Sequence, residues 1–129
     1  MLQPFLDSVL KEGEYSAIFF GGEFSHGVQK IPVPGDYRVQ DDFGATDKPH
    51  VFSDEDFETV KTIEASLLRL VQERFDGVAL TYARVDMIRD AEGKLRLNEL
   101  ELVEPSLFFR HDAGSPKRLV EVLKRSFDN

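Results

Sequence analysis

The sequence predicts an α+β fold, a mainly antiparallel sheet with helices packed on one face. Residues 57–75 place apolar side chains at helical spacing, after the helix-start signal Ser53-Asp54-Glu55-Asp56. Residues 79–89 and 94–103 read as two strands joined by a short polar loop. Residues 14–20 and 24–31 read as a further strand pair, joined by a turn at Gly21-Gly22. Runs of strands interspersed with helices are typical of this fold class.

The other elements are shorter or less regular. We expect one helical turn at 7–11, a rigid proline loop at 32–36, a short strand at 37–40 and open loop at 41–51. A second long helix is predicted for 116–127, with Ser115 as its N-cap and Pro116 in its first turn. The sequence shows no internal linker, so residues 1–129 are expected to form a single domain.

Composition limits the classes of partner. The net charge is −8, with acidic residues spread along the chain. Nucleic acid and anionic membranes need concentrated positive charge, so neither is an expected partner. The chain has no cysteine, which excludes disulfides and thiolate metal sites. Neither a signal peptide nor an apolar run of membrane length is apparent, and we expect a cytoplasmic protein.

Three carboxylates interrupt the two apolar strands of the second hairpin, at Asp86, Glu99 and Glu101. A carboxylate in a half-buried strand is costly without a partner, and three that converge favour a shared cation. A four-residue loop at 90–93 puts Asp86 on the face that carries Glu99 and Glu101, whereas a three- or five-residue loop would turn it away. Carboxylate oxygens suit Mg²⁺ or Mn²⁺. The alternative is an exposed face whose acids pair with Arg84 and Arg96.

These residues carry a family resemblance. The segments Arg84-Val85-Asp86 and Glu99-Leu100-Glu101, followed by Pro105, resemble the C-terminal half of an ATP-grasp ligase. The pattern is closest to bacterial glutathione synthetase and to amino-acid ligases of antibiotic pathways. The resemblance implies that Asp86, Glu99 and Glu101 hold the Mg²⁺ ions that bridge the ATP phosphates. Glu101 stands where the family has Asn, which keeps an oxygen ligand and adds negative charge.

Upstream segments resemble the same family in order and spacing. Gln3, Phe5 and Leu6 are similar to the hinge that meets the adenine, and Glu14 to the acid that binds the ribose. Lys30 and Arg38 match basic positions of glutathione synthetase, and the resemblance implies a catalytic role for them at phosphate or substrate. The alternatives are a disordered chain end for Gln3, a solvated strand end for Glu14 and ordinary surface cations for the other two.

The implied activity is ATP-dependent ligation of a carboxylate to an amine, of amino-acid or peptide type, through an acyl phosphate. The chain begins at about the family's hinge, so the N-terminal domain and the first ATP-grasp subdomain are expected to be absent. We therefore expect the isolated chain to be inactive, with its missing N-terminal half or a second copy as partner beside the small-molecule substrates. The alternative is a non-enzymatic acidic module that binds a metal ion or a protein.

Overall fold

A five-stranded antiparallel sheet in the order β3-β2-β1-β4-β5 forms the centre of the protein. The computed structural model describes residue 2 and residues 4–32 and 46–128. The strands are β1 Glu14–Phe20, β2 Glu23–Ile31, β3 Thr46–His50, β4 Tyr82–Arg89 and β5 Leu95–Glu101. The helices are α1 Ser8–Lys11, α2 Asp54–Arg74 and α3 Ser115–Phe127, with a 3₁₀ turn at Phe109–His111. The predicted α+β fold class is confirmed.

The long helix α2 covers one face of the sheet. Side chains alternate along a strand, and the odd-numbered residues of β1 and β4, from Tyr15 to Phe19 and from Ala83 to Met87, face this helix. Val60, Leu67 and Val71 of α2 complete the cluster. The predicted start of α2 is confirmed, because the Ser53 hydroxyl accepts a hydrogen bond from the Asp56 amide.

The opposite face carries a second apolar cluster and the polar residues of the candidate site. Ile18, Phe20 and Val28 pack there against Phe108 and against Val122 of α3. The helices therefore contact both faces of the sheet, whereas the sequence suggested one. The reason is that β1 is buried along its whole length, so its even-numbered side chains need apolar cover as well.

Two boundaries differ from the prediction. Residues 46–50 form β3, although the polar, proline-containing sequence suggested open loop; pairing with β2 outweighs the low strand propensity of these residues. The N-cap of α3 is Gly114 rather than Ser115, which is the first helical residue. The short strand predicted at 37–40 lies outside the described residues.

None of the helices in the described parts of the chain is long and apolar enough to span a membrane.

The hairpin of β4 and β5 combines two irregularities. Arg89 pairs with Leu95, so the loop has five residues, 90–94, and the predicted four-residue loop is wrong. A β-bulge follows, because Met87 pairs with Leu97 but Asp86 pairs with Glu99. Asn98 is the extra residue, and it shifts β5 by one position. The bulge cancels the effect of the odd loop, and Glu99 lies directly opposite Asp86.

Candidate functional site

The three carboxylates of the hairpin converge on the face opposite α2. Asp86 is fully buried, Glu99 is exposed and Glu101 is half-buried. One oxygen of each lies within 4.8 Å of the corresponding oxygens of the other two. All of these donors are carboxylate oxygens, which fits a hard divalent ion such as Mg²⁺ better than zinc. The structure thus brings the predicted metal ligands together, and their metal binding itself stays a prediction.

Arg84 lies between two of these acids and is buried. Its Nε donates to Asp86 Oδ1 at 3.0 Å, and its Nη2 donates to Asp86 Oδ2 at 2.8 Å. Nη2 also donates to Glu101 Oε1 at 2.6 Å, and Nη1 donates to the Ser106 carbonyl at 3.2 Å. Burial works against the charged guanidinium, but the bonds and charges of Asp86 and Glu101 outweigh it and raise the pKa of Arg84.

Sequence reasoning missed Ser16 as a partner of the acidic cluster. Ser16 lies opposite Asp86 on β1, is completely buried, and donates from Oγ to Asp86 Oδ1 at 2.6 Å. A serine in the middle of a buried strand is itself a signal, because its hydroxyl must find a partner among neighbouring strands. Its contact fixes one oxygen of Asp86 at the floor of the site.

A second buried ion pair adjoins the cluster. Lys30 on β2 pairs with Glu14 on β1, and its Nζ lies 3.0 Å from Glu14 Oε2 and 3.5 Å from Asp86 Oδ2. Glu14 is 4% exposed and Lys30 is 5% exposed. Burial, and then the charge of Asp86, raise the pKa of Glu14, while Lys30 lowers it in part. The bulge residue Asn98, also missed from the sequence, donates to Glu14 Oε1 at 3.2 Å.

Gly13 allows β1 to approach β2 closely at this ion pair. Its φ is +76°, and a Cβ there would lie 1.7 Å from the Lys30 carbonyl oxygen. Any other residue would have to move the backbone of β2 and with it Lys30. The glycine therefore contributes to the position of the Glu14–Lys30 pair.

The remaining predicted site residues fall in different places. Phe5 and Leu6 line a surface cavity of about 230 Å³ together with Ser8, Arg89 and residues of the β4–β5 loop. Ser8 anchors this segment to the sheet, because its hydroxyl donates to the Arg89 carbonyl at 2.5 Å. Gln3 and Arg38, predicted for adenine and phosphate contact, lie outside the described residues.

The alternative pairing of the acids is seen in part. Arg84 does pair with acids of the cluster, namely Asp86 and Glu101. Arg96 pairs instead with Asp90 in the hairpin loop, at 2.6 Å. Asp86 and Glu14 are buried, so the face is not simply a solvated surface with scattered acids. Ion pairs connect two cations and three carboxylates on this face of the sheet, and the Glu99 carboxylate adjoins them.

Comparisons with known proteins agree with the resemblance noted in the sequence. No protein-family profile matches the chain. The cycloserine biosynthesis protein DcsG of Streptomyces lavendulae is 31% identical over 133 residues, which cover 95% of this chain and 40% of that protein. The crystal structure of D-cycloserine synthetase DcsG matches 96% of the chain with a TM-score of 0.77 and 25% identity. The resemblance to ATP-grasp ligases is confirmed.

Two other solved structures share the fold at lower identity. D-alanine–D-alanine ligase from Bacillus anthracis, complexed with ATP, matches 87% of the chain with a TM-score of 0.59 and 14% identity. The ATP-grasp ligase PsnB, in complex with a precursor variant, Mg and ADP, matches 88% with a TM-score of 0.56 and 18% identity. The chain spans about 40% of the length of the cycloserine biosynthesis proteins that it matches.

Proposed function

We propose that the chain forms the ATP- and Mg²⁺-binding C-terminal part of an ATP-dependent ligase that joins a carboxylate to an amine through an acyl phosphate. The observation that carries the proposal is the convergence of Asp86, Glu99 and Glu101 beside the buried Glu14–Lys30 pair. The similarity to D-cycloserine synthetase and to D-alanine–D-alanine ligase supports a ligase reaction.

The proposed adenine, ribose and phosphate positions follow one another in the direction of β4. The cavity lined by Phe5 and Leu6 lies at the Arg89 end of the strand. Tyr15 pairs with Met87, so Glu14 comes next along the sheet, and Asp86 follows. Asp86 is three residues from Arg89, or about 10 Å along an extended strand. Adenine at the cavity, ribose near Glu14 and phosphates near Asp86 would follow this order.

The three carboxylates would hold the metal ion that accompanies the triphosphate. Asp86 is held in place by the Ser16 hydroxyl, while Glu99 is exposed to solvent. A buried ligand combined with an exposed one gives an ion a firm anchor and leaves it open to the nucleotide. The ion would supply charge neutralisation at the phosphates.

Lys30 and Arg38 are the proposed cations for the reacting groups. Lys30 is buried against Glu14 and Asp86, so in this structure its charge is directed at these acids. We propose that it acts mainly by holding Glu14 and Asp86 in position and by lowering the negative potential beneath the phosphates. Arg38 is assigned to phosphate or substrate through the resemblance alone.

The proposed reaction needs no nucleophile from the protein. The substrate carboxylate attacks the γ-phosphorus and releases ADP, and the amine then attacks the acyl carbon and releases phosphate. The contribution of the protein to such a reaction is to position the reactants and to stabilise charge. Amino-acid or peptide substrates are proposed because the relatives include a D-cycloserine synthetase and a D-alanine–D-alanine ligase. The proposed metal is Mg²⁺ or Mn²⁺.

We further propose that the opposite wall of the nucleotide cleft comes from polypeptide other than these 129 residues, either the rest of an ATP-grasp ligase or a second copy. Each charge-assisted hydrogen bond from that wall is worth about 1.5–3 kcal/mol. Binding of ATP to these residues alone is therefore expected to be weak, at about the millimolar level, and ligation by them alone is not expected.

The test is a calorimetric titration of the chain with a non-hydrolysable ATP analogue, with and without Mg²⁺. Glu99→Gln removes one exposed ligand charge and keeps the size of the side chain. Glu92→Gln is the matched control, because Glu92 is an exposed residue of the loop in the same hairpin. We expect metal-dependent binding that Glu99→Gln abolishes and Glu92→Gln preserves.

Binding that is equal in both variants would contradict the assignment of Glu99 as a ligand. Absence of any binding at millimolar nucleotide would contradict the proposal for these residues alone and would favour the non-enzymatic acidic module. Calorimetry with a longer polypeptide that contains the remaining parts of the ligase would then decide whether the opposite wall restores binding.

A further inference from the structure

We propose that Arg84 is a displaceable counter-ion, which competes with a divalent cation for the carboxylates of Asp86 and Glu101. The inference rests on the proposed metal site and concerns the competition between a cation of the protein and the metal ion for the same carboxylates. Arg84 then sets the ion affinity of the cluster, and its removal makes the affinity higher rather than lower.

The lone pairs of Asp86 are already in use. Oδ1 accepts from Ser16 Oγ and from Arg84 Nε, and Oδ2 accepts from Arg84 Nη2 and faces Lys30 Nζ. An ionised carboxylate has about four acceptor positions. A metal ion that binds Asp86 must therefore replace at least one of these contacts, and Arg84 supplies the largest share.

Glu101 is held by the same guanidinium. Its Oε1 accepts from Arg84 Nη2 at 2.6 Å, the shortest of the bonds that Arg84 makes among the described residues. The Nη2 group thus links the two acids that an ion would also link. A guanidinium and a divalent ion cannot both lie between the same carboxylates, because their charges repel at contact distance.

Arg84 also makes contacts that do not involve the acids. These contacts could hold its side chain after an ion has displaced it from Asp86 and Glu101. Nη1 donates to the Ser106 carbonyl, and the guanidinium carbon lies 5.5 Å from the centre of the Phe108 ring. Both contacts lie in the segment that follows β5. Arg84 therefore has partners that it can keep when its bonds to the acids are broken.

The experiment measures Mn²⁺ binding to the full chain by electron paramagnetic resonance of the free ion. Arg84→Met removes the guanidinium and keeps an apolar stem against Phe108. Arg96→Met is the matched control, because Arg96 is on the neighbouring strand but pairs with Asp90. We expect Arg84→Met to bind Mn²⁺ about tenfold more tightly, which corresponds to roughly 1.4 kcal/mol, and Arg96→Met to change the affinity less than about twofold.

The results test the counter-ion role of Arg84 and the metal site separately. Tighter binding by Arg84→Met supports the counter-ion role, including the case in which wild-type binding is too weak to measure. Equal or weaker binding by Arg84→Met, beside measurable wild-type binding, overturns the counter-ion role and leaves the metal site standing. Absence of binding by every variant overturns both the metal site and the counter-ion role.

A second measurement covers failure of Arg84→Met to fold. In wild type, Mg²⁺ is titrated while the Nε–Hε signal of Arg84 is followed by NMR; Arg84→Lys, in which this signal is missing, provides the assignment. We expect the Arg84 signal to shift together with the backbone amide of Glu99 as the ion binds. An Arg84 signal that stays fixed while Glu99 shifts would overturn the counter-ion role.

Discussion

Replacing Lys30 by methionine withdraws a buried cation from contact with Glu14 and Asp86. The Lys30 Nζ lies 3.0 Å from Glu14 Oε2, and both side chains are almost completely buried. At this distance the attraction of two unit charges is roughly 5–6 kcal/mol for an effective dielectric constant of about 20. Breaking a buried pair typically costs about 3–5 kcal/mol, because one charge remains uncompensated. We expect Lys30→Met to lower the free energy of unfolding by an amount in this range at neutral pH.

The pH dependence of this loss has a definite sign. Burial and Asp86 already raise the pKa of Glu14 in the folded state, and removal of Lys30 raises it further. A carboxyl with a raised folded pKa binds more protons folded than unfolded, so the free energy of unfolding falls as pH rises through that window. At a pH where Glu14 is protonated in both proteins, we therefore expect Lys30→Met and wild type to have similar free energies of unfolding. The difference between them should grow as pH rises above the wild-type pKa of Glu14.

Urea denaturation from about pH 5 to about pH 8 measures both quantities. The double variant Lys30→Met/Glu14→Gln is the control, because it removes the charge that Lys30→Met leaves unpaired. We expect it to recover most of the loss at neutral pH. A deficit below about 1 kcal/mol at neutral pH, or one that does not change with pH, would refute the picture of a tightly coupled buried pair.

Three further predictions concern the helix that covers the sheet and its attachment. Ser53→Ala should lower the free energy of unfolding by about 1 kcal/mol in urea denaturation, because the N-cap bond to the Asp56 amide is lost. Asp56→Asn should lower the free energy of unfolding by about 1–3 kcal/mol at neutral pH, because it weakens the bonds to Arg89. These bonds lower the pKa of the Asp56 carboxyl, so the difference should disappear as pH falls through that lowered pKa. Leu67→Ala should cost about 2–5 kcal/mol, and Leu70→Ala, on the exposed side, much less in the same assay.

The local signals in the sequence were sufficient for most elements but not for the layers. The capping serine and the helical spacing predicted α2, and runs of strand-favouring residues separated by short turns predicted the paired strands. The position of α3 depends on β1, whose residues are buried on both faces. Apolar side chains on both sides of a strand are typical of a central strand that is covered on both faces. The placement of α3 could therefore have been predicted from the sequence. The strand at residues 46–50 was not, because its pairing with β2 is a long-range contact that local propensity does not report.

Most members of the site were predictable as residue types, but their contacts were not. Asp86, Glu99 and Glu101 were singled out because acids are costly in apolar strands. The link between Lys30 and Glu14 depends on the register of β1 and β2, which the turn at Gly21-Gly22 does not fix by itself. The same holds for Ser16, whose role appears only when β4 is placed beside β1.

The bulge at Asn98 explains why the three acids converge although the predicted loop length was wrong. In a regular strand, residues of one parity share a face, yet Leu95, Leu100 and Leu102 all pack into the cluster beneath α2. Odd and even positions share a face only if one residue between them is extra, and Asn98 is that residue. The spacing of these leucines in the sequence therefore indicates the bulge. The bulge in turn places Glu99 opposite Asp86. The convergence of the acids rests on this change of phase rather than on the length of the loop.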